Sequence, residues 1–353
     1  MRILFFPMPL LTPQQTVRFF ILGLPIGLIL TGILAMFLYY RIDDVREEHS
    51  SRVPVRRPLA EADLRSSVRT LAGAIGPRHA GAPETLSSAA KYFQSTLGPA
   101  NLGFKVSRHE YEVEGQTFYN LTLDVPGAPG PRAGEIILVT AAYDTPPGSP
   151  GADGNASGVA AIMSLAQTFS GSRSARTLRF VALVNEAPPW AGTSASGSAA
   201  YSASMKTRQD NVVIVVSLEG LGRFADNPGS QQSPPGSAVP FPETGNFLAV
   251  IANAAAASAL PRLAAEFTTA TKLPLETASA ASLPLLLGGA TARSFDAAGW
   301  PVLRVTDTAE WRDPAWQTAA DRPDTLDYPR FLEAVKGIEA LLRTLANEDW
   351  AKP

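Results

Sequence analysis

From Phe19 to Tyr40 the chain carries an apolar run with no charged side chain, F-F-I-L-G-L-P-I-G-L-I-L-T-G-I-L-A-M-F-L-Y-Y. A helix rising about 1.5 Å per residue covers roughly 33 Å over such a run, enough to cross a hydrocarbon core of about 30 Å. Pro25 is compatible with a membrane helix, and Tyr39 and Tyr40 suit the lipid–water interface. The run is long for a signal peptide and lacks a convincing small-x-small cleavage site, so it predicts an uncleaved transmembrane anchor. Residues 1–18 form a tail before it. Residues 41–62, charged and carrying Pro54 and Pro58, read as a tether. Arg2 and Arg18 precede the span and Arg41, Arg46, Arg52, Arg56 and Arg57 follow it, a count that favours a cytoplasmic domain. A short tail, one span and a large following domain is instead the usual form of an exported signal anchor. The expectation is a single-pass membrane protein with its large domain on the periplasmic or extracellular side.

From Asp63 the pattern becomes globular, and it stays so to residue 347, with 348–353 as a short tail. Leu64, Val68, Leu71 and Ile75 recur at helical spacing, 84–97 predicts a second helix, and 105–113 alternates like a strand. Three short apolar runs, 135–143, 177–185 and 211–218, read as fully buried strands. Helical segments at 156–169 and 196–205 alternate with them. Strands at 246–252 and 302–306 and a last helix at 328–346 complete the series. Alternation of buried strands and helices predicts an α/β fold, a three-layer αβα domain around a mostly parallel, mixed central sheet. In such sheets, sites form in the loops at the C-terminal strand ends.

Composition removes several chemistries from those loops. With a formal net charge of −2 and scattered Lys and Arg, the chain offers no basic face, and no nucleic-acid partner is expected. The absence of cysteine excludes disulfides, thiolate zinc sites and cysteine nucleophiles. The only histidines are His49, His79 and His109. A catalytic zinc site commonly uses at least one imidazole, so a metal site further along must rely on oxygen donors or borrow from upstream. No G-x-S-x-G elbow and no G-x-x-x-x-G-K-[ST] phosphate loop occurs.

What the strand ends do carry is acids and turn residues. Tyr143, Asp144 and a glycine-rich turn to Asp153 follow the first buried strand. Asn185 and Glu186 follow the second and Glu219 the third. Asp307, Thr308, Glu310, Trp311, Arg312, Asp313 and Gln317 follow the late strand. Trp190, Trp311 and Trp316 fall in or near the same loops.

Four separated segments resemble metallopeptidase family twenty-eight, the co-catalytic zinc aminopeptidases and related hydrolases, and the resemblance runs in order over roughly residues 63–346. Where the family reads A-H-Y-D-T-x-P-G-S-P-G-A-D-D-N-A-S-G, this chain reads A-A-Y-D-T-P-P-G-S-P-G-A-D-G-N-A-S-G. The family's R-F-V-A-F-x-N-E-E-P-P is here R-F-V-A-L-V-N-E-A-P-P, and S-L-E-M-I-G is S-L-E-G-L-G. The last segment, near V-T-D-T-A-x-x-R-N-P-H-Y-H-T-P in the family, is V-T-D-T-A-E-W-R-D-P-A-W-Q-T-A.

The resemblance implies two zinc ions about 3.5–4 Å apart around a bridging water. Its five ligand positions fall on Ala142, Gly154, Ala187, Glu219 and Gln317, of which only Glu219 is able to ligate. Its general base falls on Glu186, expected to be idle, and Asp144 falls on an acid that orients the first histidine. A zinc pair lowers the pKa of bound water from 15.7 to about 7. That is on the order of 12 kcal/mol of help in forming the nucleophile, and Glu186 alone does not supply it.

The expectation is therefore a membrane-anchored, catalytically inactive pseudopeptidase that holds no zinc and serves as a peptide-binding, ligand-binding or assembly module, with a peptide or membrane protein as partner. Its cleft is expected to be lined by Asp144, Asp153, Asn185, Trp190, Trp311 and Trp316. The alternative is a hydrolase with a reorganised site around Glu186 and Glu219, holding one hard divalent cation. The proline-rich stretch at 230–245 is expected on the rim of the cleft.

Overall fold

Side chains of strand β3 (Ile136–Ala142) divide between two cores: Ile137, Val139 and Ala141 join one, Ile136 and Leu138 the other. This division, forced by the two-residue repeat of a strand, sets the architecture. The computed structural model describes residues 12–18, 21, 25, 27–36, 54, 56–233, 241–280 and 288–350. Helices α1 (Glu61–Val68), α2 (Pro83–Leu97), α3 (Gly158–Phe169), α5 (Leu260–Ala270) and α7 (Tyr328–Asn347) cover the first face. On the second lie α4 (Gly197–Arg208) and α6 (Ala290–Ala297), which bring Tyr201, Met205, Ala292 and Phe295 to its core.

The remaining strands are β1 (Ser107–Val113), β2 (Gln116–Val125), β4 (Thr177–Leu183), β5 (Val212–Leu218), β6 (Leu248–Ala252), β7 (Leu275–Ser279) and β8 (Val302–Thr306). They form one mixed sheet of order β1-β2-β4-β3-β5-β8-β6-β7. The central run β4-β3-β5-β8 is parallel, so its four C-terminal ends open on the same edge. β2 joins β4, and β6 joins β8, in antiparallel fashion. The expected three layers and mixed sheet are present. Four elements fall outside the predicted series: β2, α5, β7 and α6. The first hairpin turns on Glu114 and Gly115, both at positive φ, which suits a tight hairpin but lacks the usual Asn-Gly or Asp-Gly signal.

The chain divides into two units, Met1–Ser51 and Arg52–Pro353. In the first, Pro13–Arg18 and residues 27–36 are helical. Of the 19–40 run, only residues 21, 25 and 27–36 are described, and the rest lies outside the described residues, as do 1–11, most of the 41–62 tether, 234–240 of the proline-rich stretch and 351–353. Among the described residues no helix is long and apolar enough to cross a membrane.

One side chain fixes the first strand-end loop. Arg78 has no exposed surface, and its guanidinium donates to the carbonyls of Tyr143 (2.8 Å), Leu71 (2.8 Å), Gly76 (2.8 Å), Pro150 (2.7 Å) and Gly151 (3.3 Å). Burial lowers its pKa to about 10, against the opposing pull of Asp144 and Asp321. Removing this fork strands several buried carbonyls. Arg78→Met is therefore expected to cost roughly 3–5 kcal/mol in urea unfolding, with Arg78→Lys recovering only part of the loss. A change under about 1 kcal/mol would contradict the clamp.

Candidate functional site

A cavity of about 300 Å³ opens at the ends of the four parallel strands. Its wall takes Ala142 from the end of β3, Glu186 and Ala187 from beyond β4, Glu219 from beyond β5 and Arg304 from β8. Parallel register makes these residues neighbours: Ala142 lies beside Leu183, and Ser217 lies beside Arg304.

Asp144 ties the first loop to the second. Its carboxylate accepts from the backbone N–H groups of Glu186 (3.1 Å) and Ala187 (3.0 Å). Burial raises its pKa to about 6 despite these bonds and the nearby Arg78. Asn155 ties the first loop to the third, donating to Leu218 O (2.8 Å) and accepting from Gly220 N (3.1 Å).

Glu186 is fully engaged. Its carboxylate accepts from Ser198 N (2.6 Å), Ser198 Oγ (3.0 Å) and Thr291 Oγ1 (2.7 Å). Ser198 lies in the first turn of α4, where exposed N–H groups and the helix dipole favour an anion. Burial nonetheless raises the Glu186 pKa to about 7, with the bonds from Thr291 and Ser198 working the other way. Geometrically this carboxylate anchors a helix end.

Glu219 is engaged as well. Oε1 accepts from Ser217 Oγ (2.8 Å) and Oε2 from Arg304 Nε (2.9 Å). At Gly154, the family's bridging-carboxylate position, the backbone packs against an indole: a Cβ built there would lie 2.9 Å from Trp316 Cζ3 and 3.0 Å from Cη2. Trp311 forms another wall, backed by Phe241 at 6.3 Å between ring centroids. Gln231 accepts from Arg312 Nε (2.7 Å) and Thr308 Oγ1 (3.0 Å). The described ends of the proline-rich stretch thus sit beside the Trp311 wall.

The structure brings together Ala142, Asp144, Gly154, Glu186, Ala187, Glu219, Trp311, Trp316 and Gln317. Three expected cleft residues lie elsewhere. Asp153 is wholly buried, with Oδ1 accepting from Leu221 N (3.1 Å) and Gly222 N (2.9 Å). Burial and the adjacent Asp307 and Asp321 push its pKa well above the carboxylate range. It braces the cleft from behind. Asn185, at φ 60°, turns away to donate to Tyr111 Oη (2.9 Å). Trp190 packs edge-on to Phe118 at 5.5 Å, because its ring completes the first core.

Arg304 was missed, although V-L-R-V-T held a signal: a charge inside a buried strand requires a partner. Gly288 and Gly289 were also missed, because glycine in a loop announces nothing about what packs against it.

The donor set does not fit a zinc pair. Glu219 is held by a guanidinium and a hydroxyl and Glu186 by three donors; Asp153 is held through Oδ1 alone by two amides, its Oδ2 buried without a hydrogen bond to the described residues, while Trp316 fills the space in front of Gly154. Among the described residues no group of three or more His, Cys, Asp or Glu is placed to hold a metal ion.

Comparison with known proteins agrees with this architecture. The family model of peptidase family M28 matches residues 120–342. YfbL of Escherichia coli (strain K12), an uncharacterized protein, is 26% identical over 295 residues, covering 81% of this chain and 88% of that protein. LapB from Legionella pneumophila superposes with a TM-score of 0.61 at 19% identity, over 82% of this chain and 72% of that one. BSAP, a zinc aminopeptidase from Bacillus subtilis, gives 0.60 at 14% identity, over 83% and 96%. These two structural likenesses speak to the fold.

The buried acids give the domain a pH signature. Burial raises Glu186 to about 7 and both Asp144 and Asp307 to about 6. A carboxyl with a raised folded-state pKa contributes stability that is complete below its unfolded pKa and lost as pH rises through the folded value. Unfolding free energy is thus expected to rise as pH falls from about 8 to about 5.5. His109, lowered by burial and by Arg208, opposes the trend. Glu186→Gln is expected to remove about 2 kcal/mol of this dependence, read by urea titration across the range. An unchanged profile would count against the assignment.

Proposed function

Given that the chain belongs to peptidase family M28, as its match over residues 120–342 shows, we propose that it is a membrane-anchored, aminopeptidase-like binding module that does not run the family's zinc chemistry. One observation carries this reading: the indole of Trp316 lies where a side chain at Gly154 would project, closing the space in which a bridging carboxylate would work. What is left is a cavity of about 300 Å³ with Trp311 and Trp316 in its walls and small residues, Ala142, Gly154 and Ala187, on its floor. Aromatic walls with a few polar groups suit a peptide segment or comparable small ligand. Glu186 serves in this reading as a helix anchor.

Residues 19–40 are proposed as the anchor and the exported side as the location of the domain. In support, Ile21, Leu28, Ile29, Leu30, Ile33, Leu34 and Met36 are all between 56% and 66% exposed. No soluble fold gains from such a display, whereas lipid would cover it.

The decisive experiment measures zinc per chain by elemental analysis after reconstitution, together with hydrolysis of several aminoacyl substrates. Substoichiometric zinc and no turnover are expected. Stoichiometric zinc with turnover abolished by Glu186→Gln would overturn the proposal. Activity restored by one divalent cation and lost in Glu219→Ala would establish the single-metal hydrolase instead.

A further inference from the structure

We infer that Arg304 is a built-in counter-cation: its guanidinium compensates the carboxylates of the former metal cleft and so blocks metal binding there independently of the missing ligands. The inference rests on the zinc-free reading of the cleft and adds a residue that no ligand comparison identifies.

Arg304 lies on the interior of the sheet, with its side chain only 1% exposed. Its Nε is 2.9 Å from Glu219 Oε2, and its Nη1 is 2.7 Å from Glu310 Oε1. Glu219 is the one family ligand position still able to ligate, so the cation is attached to the last surviving donor. Register explains the reach. Ser217 pairs with Arg304 across β5 and β8, and Glu219, two residues beyond Ser217, projects from the same face.

The loop above the pair is fitted to it. A Cβ on Gly288 would overlap Arg304 Nη1, and a Cβ on Gly289 would overlap the Glu219 carboxylate. Gly288 also adopts φ +62°, a conformation open to glycine at little cost. The backbone therefore closes directly over the ion pair, and both glycines are needed for it to do so. A guanidinium cannot leave Glu219 without stranding a charge in this enclosure, which is costly. A zinc ion approaching Glu219 has to displace that guanidinium first.

Two measurements test this, each using the full-length protein. The first compares zinc affinity, by competition with a chromophoric chelator, between two variants in which the donors are restored. Both carry Ala142→His, Gly154→Asp, Ala187→Glu, Gln317→His and Trp316→Ala, the last to clear the indole; one retains Arg304 and the other carries Arg304→Met. Binding at least about tenfold tighter in the Arg304→Met background is expected. Equal affinity in the two backgrounds would overturn the inference while leaving the zinc-free reading intact. Stoichiometric zinc on the unmodified protein would instead overturn that reading.

The second measurement needs no multiple replacement. Arg304→Met alone is expected to lower Tm by roughly 6–15 °C. Adding Glu219→Gln and Glu310→Gln should restore most of that loss, and Arg304→Lys should lose less than Arg304→Met. Equal losses in the Lys and Met variants, or no restoration by the Gln pair, would show that Arg304 acts through its bulk and not its charge.

Discussion

Arg78 is the contact on which the strand-end loops depend. A guanidinium without exposed surface gathers five carbonyls, from Leu71 and Gly76 at the end of the first helical segment and from Tyr143, Pro150 and Gly151 in the loop after β3. Asp321 holds the same loop from the other side, accepting from Asp153 N (2.8 Å) and Gly154 N (3.0 Å). Asp144 then carries the order to the loop after β4 and Asn155 to the loop after β5. Every one of these links is made by protein groups. None of them uses a side chain at the family's ligand positions, so alanine and glycine there leave the links intact.

How far this was legible from sequence depends on what kind of signal each element leaves. The buried central strands announce themselves, because a short β-branched run such as I-I-L-V-T-A-A has to be covered on both faces. Strand β2 leaves a fainter signal: Tyr119, Leu121, Leu123 and Val125 alternate with Asn120, Thr122 and Asp124, and of that polar face Asn120 and Thr122 serve partners at α4, Gly197 and Tyr201. The site divides the same way. Lost ligands show up as absences against the family pattern. What replaced them is a matter of packing: Trp190 and Trp316 are the same residue type in similar loops, yet one completes a core and the other fills a cleft. Asp153 likewise faces away because two amides behind the loop claim it first.

Electrostatics distinguishes the two halves of the site. Behind the cleft, Asp153, Asp307 and Asp321 lie close together, and burial together with mutual repulsion raises Asp153 strongly; protonation relieves that crowding. Around Glu219 and Glu310, on one wall of the cleft, relief comes instead from Arg304, whose charge is held in place between them. Burial by itself would lower the pKa of that guanidinium, but the two carboxylates outweigh it and raise it. The same problem, carboxylates out of water, thus has a proton as its solution on one side and a fixed cation on the other.

That fixed cation bears on what the cleft is able to hold. With Glu219 answered by Arg304 and Glu186 by Ser198 and Thr291, little uncommitted charge remains to attract a ligand. Affinity then has to come from the Trp311 and Trp316 faces and from fit in a cavity of about 300 Å³, and apolar contact of that extent in a partly open site gives modest affinity unless the ligand is preorganised. Confinement changes the arithmetic. Under the proposed anchoring by residues 19–40, a partner in the same membrane meets the cleft at an effective concentration that dilute solution does not reach, so weak contacts suffice for stable occupancy. On the proposed reading, a cleft whose charges are paired within the protein and a chain held at a surface complement one another.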